Sequence, residues 1–161
     1  MPSRDLDFSI TGGEHMSAII KALEAVGDGE LAVELKKELR KAARPMVPKI
    51  RAAIDRIPSK HDGTLRSEMK AATRAQFRSS GNQAGITLRV DGRKMPAGKR
   101  SLPAYMEGTK PRWRHPVFGN PEVWVSQPDH SFFYKTVTPF GVEVKKEIDA
   151  VAERIAKKLT P

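Results

Sequence analysis

The chain has 161 residues, no cysteine and a formal net charge of +10 at neutral pH. Without cysteine there are no disulfides, thiolate zinc sites or thiol nucleophiles, which fits a product of a reducing cytoplasm. No apolar run reaches the roughly 18 residues of a membrane span, Met1–Asp5 carries no secretion signal, and the positive excess favours polyanions or an acidic partner.

Leu6, Phe8 and Ile10 alternate with Asp7 and Ser9, the period of a strand. Thr11 and Glu14 have the spacing of a capping box. A short helix is expected after them, with Met16, Ile19, Ile20, Leu23 and Val26 on one face and Gly27 at its end. Asp28 then caps a long helix over residues 28–58. Its stripe runs Leu31, Leu35, Leu39, Ala42, Met46, Ile50, Ile54 and Ile57. Pro45 and Pro48 predict a kink near residues 43–47, and Pro58 stops the helix. A continuous helix from Glu30 to Ile57 would span about 42 Å. Core is the favoured role for the stripe, and its length predicts that one end also meets another subunit.

Thr64 to Lys70 starts a helix with Leu65, Met69 and Ala72 inward. The period then becomes two: Thr73, Ala75 and Phe77, a turn at residues 79–83, and Ile86, Leu88 and Val90. This predicts a β-hairpin. Residues 84–128 hold its return strand, a basic loop from Gly92 to Lys99, a helical turn near Leu102–Met106, an aromatic segment and a strand at Val123 and Val125. Ser131 opens a short helical piece with Phe132, Phe133 and Val137. Thr138 as cap and Pro139 as first residue then start the C-terminal helix, residues 138–159, with Val144, Ile148, Val151, Ala152, Ile155 and Leu159 inward. The expected fold is a single α+β domain: a small, mainly antiparallel sheet packed by amphipathic helices, with a long proline-kinked helix and a C-terminal helix.

Catalytic patterns are missing. Gly92, Gly98 and Lys99 imitate a phosphate loop, but the glycines are wrongly spaced and Arg100 stands where a hydroxyl must hold magnesium. A flexible basic loop is the plainer reading. His115, Asn120 and His130 faintly outline a His-Asn-His nuclease without its ββα frame, and no His pair has metal-ligand spacing. There is no nucleophile elbow, and the pairs Asp28/Glu30 and Glu143/Glu147 read as solvated. No enzyme, cofactor or metal is expected.

The segment from Pro111 to Val125 concentrates Trp113, Phe118 and Trp124 among Pro111, Pro116 and Pro121. Basic residues flank it: Arg93, Lys94, Lys99, Arg100, Arg112 and Arg114. Cations on phosphates and rings on bases would make a nucleic-acid-binding module of the 89–114 loop. Packing onto the sheet is the favoured reading for Trp124, between two valines. Trp113, between two arginines, stands evenly between an intersubunit contact and a lid on the core.

The string His115-Pro116-Val117-Phe118-Gly119-Asn120, then Val123-Trp124-Val125-Ser126-Gln127 and Phe132-Phe133-Tyr134, resembles a tail-component family of long-tailed bacteriophages, especially those of actinobacterial hosts. Ala43-Arg44-Pro45, Gly63-Thr64-Leu65-Arg66, Ala71-Ala72-Thr73-Arg74, Ala84-Gly85-Ile86 and Leu102-Pro103-Ala104-Tyr105 extend the likeness over nearly the whole chain. Pro48 departs from the pattern. The resemblance implies a non-enzymatic structural protein of the virion neck, made in the host cytoplasm: a tail-completion or tail-terminator subunit in a ring of six- or twelvefold symmetry. Its partners would be further copies of itself, the adjacent head-connector and tail-tube proteins, and packaged DNA. Trp113, His115, Phe118, Asn120 and Trp124 are the candidates for subunit contacts. Arg93, Lys94, Lys99, Arg100, Arg112 and Arg114 are the candidates for contact with DNA or an acidic partner. Deleting residues 93–100 is expected to leave a folded protein.

Overall fold

The computed structural model of the protein describes residues 5–59, 62–79, 84–110, 113–117 and 120–160. Its elements run β1 (Leu6–Thr11), α1 (Gly13–Val26), α2 (Gly29–Ala43), α3 (Met46–Asp55), α4 (Thr64–Ala72), β2 (Thr73–Arg78), β3 (Gly85–Val90), α5 (Leu102–Glu107), β4 (Trp113–Val117), β5 (Asn120–Gln127) and α6 (Tyr134–Leu159). The mixed α+β class is as the periodicities predict. Among the described residues no helix is long and apolar enough to cross a membrane.

β1, β3 and β2 form an antiparallel sheet in that order. Phe8, Leu88 and Ala75 lie in register across it, as do Asp7, Arg89 and Arg74. Side chains alternate along each strand, so one face carries Leu6, Ile10, Ile86, Leu88 and Val90, all buried. Helices α1, α2 and α6 pack together, and α2 and α6 contact the sheet strands. The opposite face is polar, with Ser9 Oγ and Thr87 Oγ1 2.9 Å apart across β1 and β3.

The long stripe is spent inside the chain. Leu35, Leu39, Met46, Ile50 and Ile54 are each at most 1% exposed, so none of them remains for another subunit. The helix breaks at Arg44 and Pro45 into α2 and α3. Pro48 then sits in the first turn of α3, where its missing N–H has no intrahelical partner to lose. Asp28 caps α2, its Oδ1 accepting from Leu31 N at 3.0 Å. Gly27 ends α1 in the left-handed region at φ 71°.

Three local expectations fail. Thr11 stays in β1, paired with Gly85, so Gly12 precedes α1 with no side-chain cap and the capping box does not form. Val26, the last residue of α1, is 70% exposed and does not share the burial of Met16, Ile19, Ile20 and Leu23. Thr138 and Pro139 do not start the last helix. It begins at Tyr134 and carries Pro139 inside.

The reason for that early start is Glu107. Its buried carboxylate accepts from Phe132 N and Phe133 N at 2.8 Å each, from Tyr134 N at 3.0 Å and from Ser131 Oγ at 2.8 Å. Orphan amides at a helix N-terminus need acceptors, and an anion there also opposes the helix dipole. Glu107 supplies both from another helix, so no local cap is needed. Phe132, Phe133 and Val137 enter the core behind it. Glu107→Ala should lower unfolding stability by roughly 2–4 kcal/mol, because it strands buried amides. Glu107→Gln, which keeps an acceptor, should cost less. Urea denaturation followed by circular dichroism measures both.

Candidate functional site

Between Glu107 and Ser131 the chain leaves the body and returns. The two ends of this excursion are tied together. His130 N donates to Met106 O at 2.7 Å, and Glu107 holds Ser131 to Tyr134. Gly108 adopts φ 82°, and a Cβ there would lie 2.5 Å from Asp129 Oδ2. Only glycine satisfies both the left-handed backbone and that close approach. Thr109 N and Oγ1 both donate to Ala104 O.

Beyond this neck, β4 and β5 pair with each other and make no extensive contact with any other element among the described residues. Val123 and Val125 form a strand as predicted, but in a separate two-stranded ribbon rather than in the main sheet. Every residue of β5 is exposed, although successive residues point to opposite faces. The ribbon therefore has no covered side along β5. Trp124 is 51% exposed, which corrects its expected packing onto the sheet. It stands opposite Pro116, and exposed Arg114 stands opposite Ser126.

The structure places the other aromatic-segment candidates as follows. Trp113 opens β4 opposite Gln127, and His115 pairs in register with Val125. Asn120 opens β5, its Oδ1 accepting from Glu122 N at 3.2 Å. Phe118 and Arg112 lie outside the described residues. Trp113, His115, Asn120 and Trp124 are thus brought onto one ribbon by strand pairing.

The basic candidates divide. Arg93 donates from Nε to Asp91 Oδ1 at 3.1 Å, and its backbone N donates to the same oxygen at 3.0 Å. Lys99 Nζ is 3.5 Å from Glu68 Oε2. Lys94, Arg100 and Arg114 are exposed and have no ion-pair partner among the described residues. The loop itself is not free. Gly92–Lys94 forms one 3-10 turn, and Met95 is buried. Of residues 93–100 only Met95 is buried, so their deletion would remove one core side chain.

Asp91 is the centre of this lock. It is 1% exposed and also accepts from Arg74 NH2. Burial pushes its carboxyl upward, but hydrogen bonds and charge from Arg93, with the charge of Arg74, outweigh burial and hold it below the ordinary value of 3.8. Beside it, Asp7 grips Arg89 with both carboxylate oxygens. This raises the guanidinium above its ordinary value, against the cost of burial. Nothing in the sequence distinguishes Asp91 or Glu107 from the other acidic residues. A lone carboxylate has no periodicity, and its role here depends on groups distant in sequence.

No group of three or more His, Asp or Glu residues among those described could hold a metal. The depressions in the surface are open and shallow. The one at the hairpin root is lined by Arg56, Asp129, His130 and Lys135, among others. The nearby amides of the α6 N-terminus are already spent on Glu107. The feature best suited to recognition is the uncovered ribbon.

Two outcomes follow from this geometry. Trp124→Ala should leave the unfolding midpoint of the isolated chain within about 0.5 kcal/mol of wild type, because the residue is 51% exposed and no other element among the described residues packs extensively on β5. Thermal denaturation checks it. Asp91→Asn should cost roughly 2 kcal/mol at neutral pH. A depressed carboxylate stabilises fully above its unfolded value and loses that contribution as pH falls through the lower folded value. The acid limb of the wild-type stability curve should therefore contain a component that Asp91→Asn lacks.

No protein-family model matches this chain, and neither a curated protein nor a solved structure matches it significantly.

Proposed function

We propose that this chain is a structural virion protein of a tailed bacteriophage, a subunit of the homo-oligomeric ring that joins tail to head as a tail-completion or tail-terminator component. The observation that carries the reading is the β4–β5 ribbon, exposed along the whole of β5 and held out by a rigid neck. An isolated two-stranded ribbon is marginally stable in water. Val123, Trp124 and Val125, 48%, 51% and 39% exposed, offer an apolar anchor of the kind that dominates protein interfaces. The motif resemblance centred on His115 to Gln127 falls on this same ribbon. The ring forms on its neighbours in the neck, and Lys94, Arg100 and Arg114 supply cations toward DNA or an acidic adjoining ring. Catalysis has no part in this role.

A nucleic-acid-binding module using the 89–114 segment is the second reading. Those same three unpaired cations favour it, whereas Arg93 and Lys99 are engaged on Asp91 and Glu68. Such a module would retain DNA with a steep salt dependence.

The test uses particles from the phage or lysogen that carries the gene. An antibody against the chain should label the head–tail junction in immuno-electron microscopy. Complementation with Trp124→Ala should lower infectious titre roughly tenfold or more, the scale of losing one interface hot spot, with normal levels of folded subunit. Label elsewhere or none, or an unchanged titre, overturns the assignment.

A further inference from the structure

Among the described residues β2 is an edge strand, with β3 on one side and no strand on the other. The ladder fixes which of its backbone groups face outward. Asp91 N donates to Ala72 O at 3.0 Å, so Thr73 and Val90 form a non-hydrogen-bonded pair. In an antiparallel ladder the next pair, Arg74 and Arg89, then exchanges both bonds. Arg74, Gln76 and Arg78 therefore turn their N–H and C=O toward β3, while Thr73, Ala75 and Phe77 turn theirs away from it.

The outward groups of Thr73 are satisfied. Its N–H bonds to Lys70 O, and Arg51 NH2 donates to its carbonyl. The outward N–H and C=O of Ala75 and Phe77 have no protein partner among the described residues. The opposite edge differs, because Tyr134 Oη donates to the outward carbonyl of Asp7. The sheet thus has one edge partly occupied by α6 and one edge left open at two successive outward residues.

That open edge lies in a groove of about 710 Å³ lined by Arg40 and residues 74–79. Arg74 and Arg78 share the polar face of the strand. Lys36, on α2 one turn before Arg40, sits 5.9 Å from the ring centre of Phe77 on the other face. Cations therefore flank the edge from both faces, and none of the residues lining the groove is acidic.

We propose that the β2 edge is a strand-addition site for an extended protein segment rich in aspartate and glutamate. The segment would continue the β1-β3-β2 sheet, exchanging backbone hydrogen bonds with Ala75 and Phe77. Its carboxylates would meet Arg78 on one face and Arg40 on the other, Arg74 being held on Asp91. A second copy of this chain does not fit, because β2 against β2 sets arginine near arginine, and like charges across a ladder destabilise it. Arginines on an edge can also serve only to prevent pairing, and the two roles differ in what they do with an acidic strand. No residue of the β4–β5 ribbon lines the groove, so the site stands or falls separately from the neck assignment.

The full chain is titrated with a fluorescein-labelled peptide alternating glutamate and valine. Amide exchange is followed by nuclear magnetic resonance. Saturable binding is expected, with slowed exchange at the amides of Ala75 and Phe77. Methylating alternate peptide nitrogens should abolish binding. Arg40→Glu and Arg78→Glu, checked for folding by circular dichroism, should together weaken binding at least about tenfold, as expected when charge pairs across an interface become repulsive. No binding, or equal binding of the methylated peptide, overturns the proposal. So does unchanged exchange at Ala75 and Phe77 in the wild-type protein, a readout that needs no variant to fold. Displacement of the peptide by a single-stranded oligonucleotide that binds more tightly through the same arginines would make the groove a nucleic-acid site instead.

Discussion

The structure turns on one buried carboxylate. Glu107 sits at the end of α5 and accepts three amides and one hydroxyl from residues 131–134. A carboxylate taken from water needs such replacement bonds. The α6 N-terminus needs an acceptor, and the two requirements meet. Because the acceptor comes from outside the helix, α6 can begin with Phe133 and Tyr134 rather than with a serine or threonine cap. Pro139 then falls past the first turn and is carried by a helix whose start is already held. The same contact closes the neck from which β4 and β5 depart, so the position of the ribbon depends on it.

The body behind that neck is built from a sheet with two unlike faces. The apolar face takes the stripes of α1, α2 and α6, and Gly141 lets α6 approach until a Cβ there would lie 2.9 Å from the Phe8 ring. The polar face is organised by arginine and aspartate pairs across strands: Asp7 with Arg89, and Arg74 with Asp91. Part of the chain's large positive charge is therefore structural. Those guanidiniums hold strands and a turn in place and do not stand ready for a polyanion. The cations that remain exposed and unpaired are fewer than a count of the basic run implies.

The ribbon has neither of these supports. It has no apolar layer against it along β5 and no cross-strand ion pair among the described residues. Its order comes from its own ladder and from the neck. A chain that has already buried its long helical stripe, Phe132 and Phe133 leaves Trp124 and two valines exposed there. This is the pattern of a surface completed by another molecule. The open β2 edge is different in chemistry: it offers backbone groups and cations, where the ribbon offers apolar side chains.

Much of the architecture could be read from residue order because it depends on local period. Leu35 to Ile57 recur at helical spacing, and Ile86, Leu88 and Val90 at strand spacing, whatever surrounds them. Asp28 and Gly27 act within one turn. Val123 and Val125 likewise marked β5, whereas the strand at Trp113–Val117 had no such period. Long-range pairing had no such signature. Thr11 looked like a cap until Gly85 claimed it for a strand, and Thr138-Pro139 looked like a start until Glu107 supplied one upstream. Trp124 between two valines had the pattern of a buried strand, and only the absence of any layer over β5 left it in water. Arg93 and Asp91 are near neighbours in sequence, yet Arg74 and the strand geometry made Asp91 a buried lock. Periodicity and turn chemistry act over a few residues, so they survive in the order of the chain. Which strand is an edge, which carboxylate meets which amide and which ring stays uncovered arise from contacts across the chain, and these exist only once it has folded.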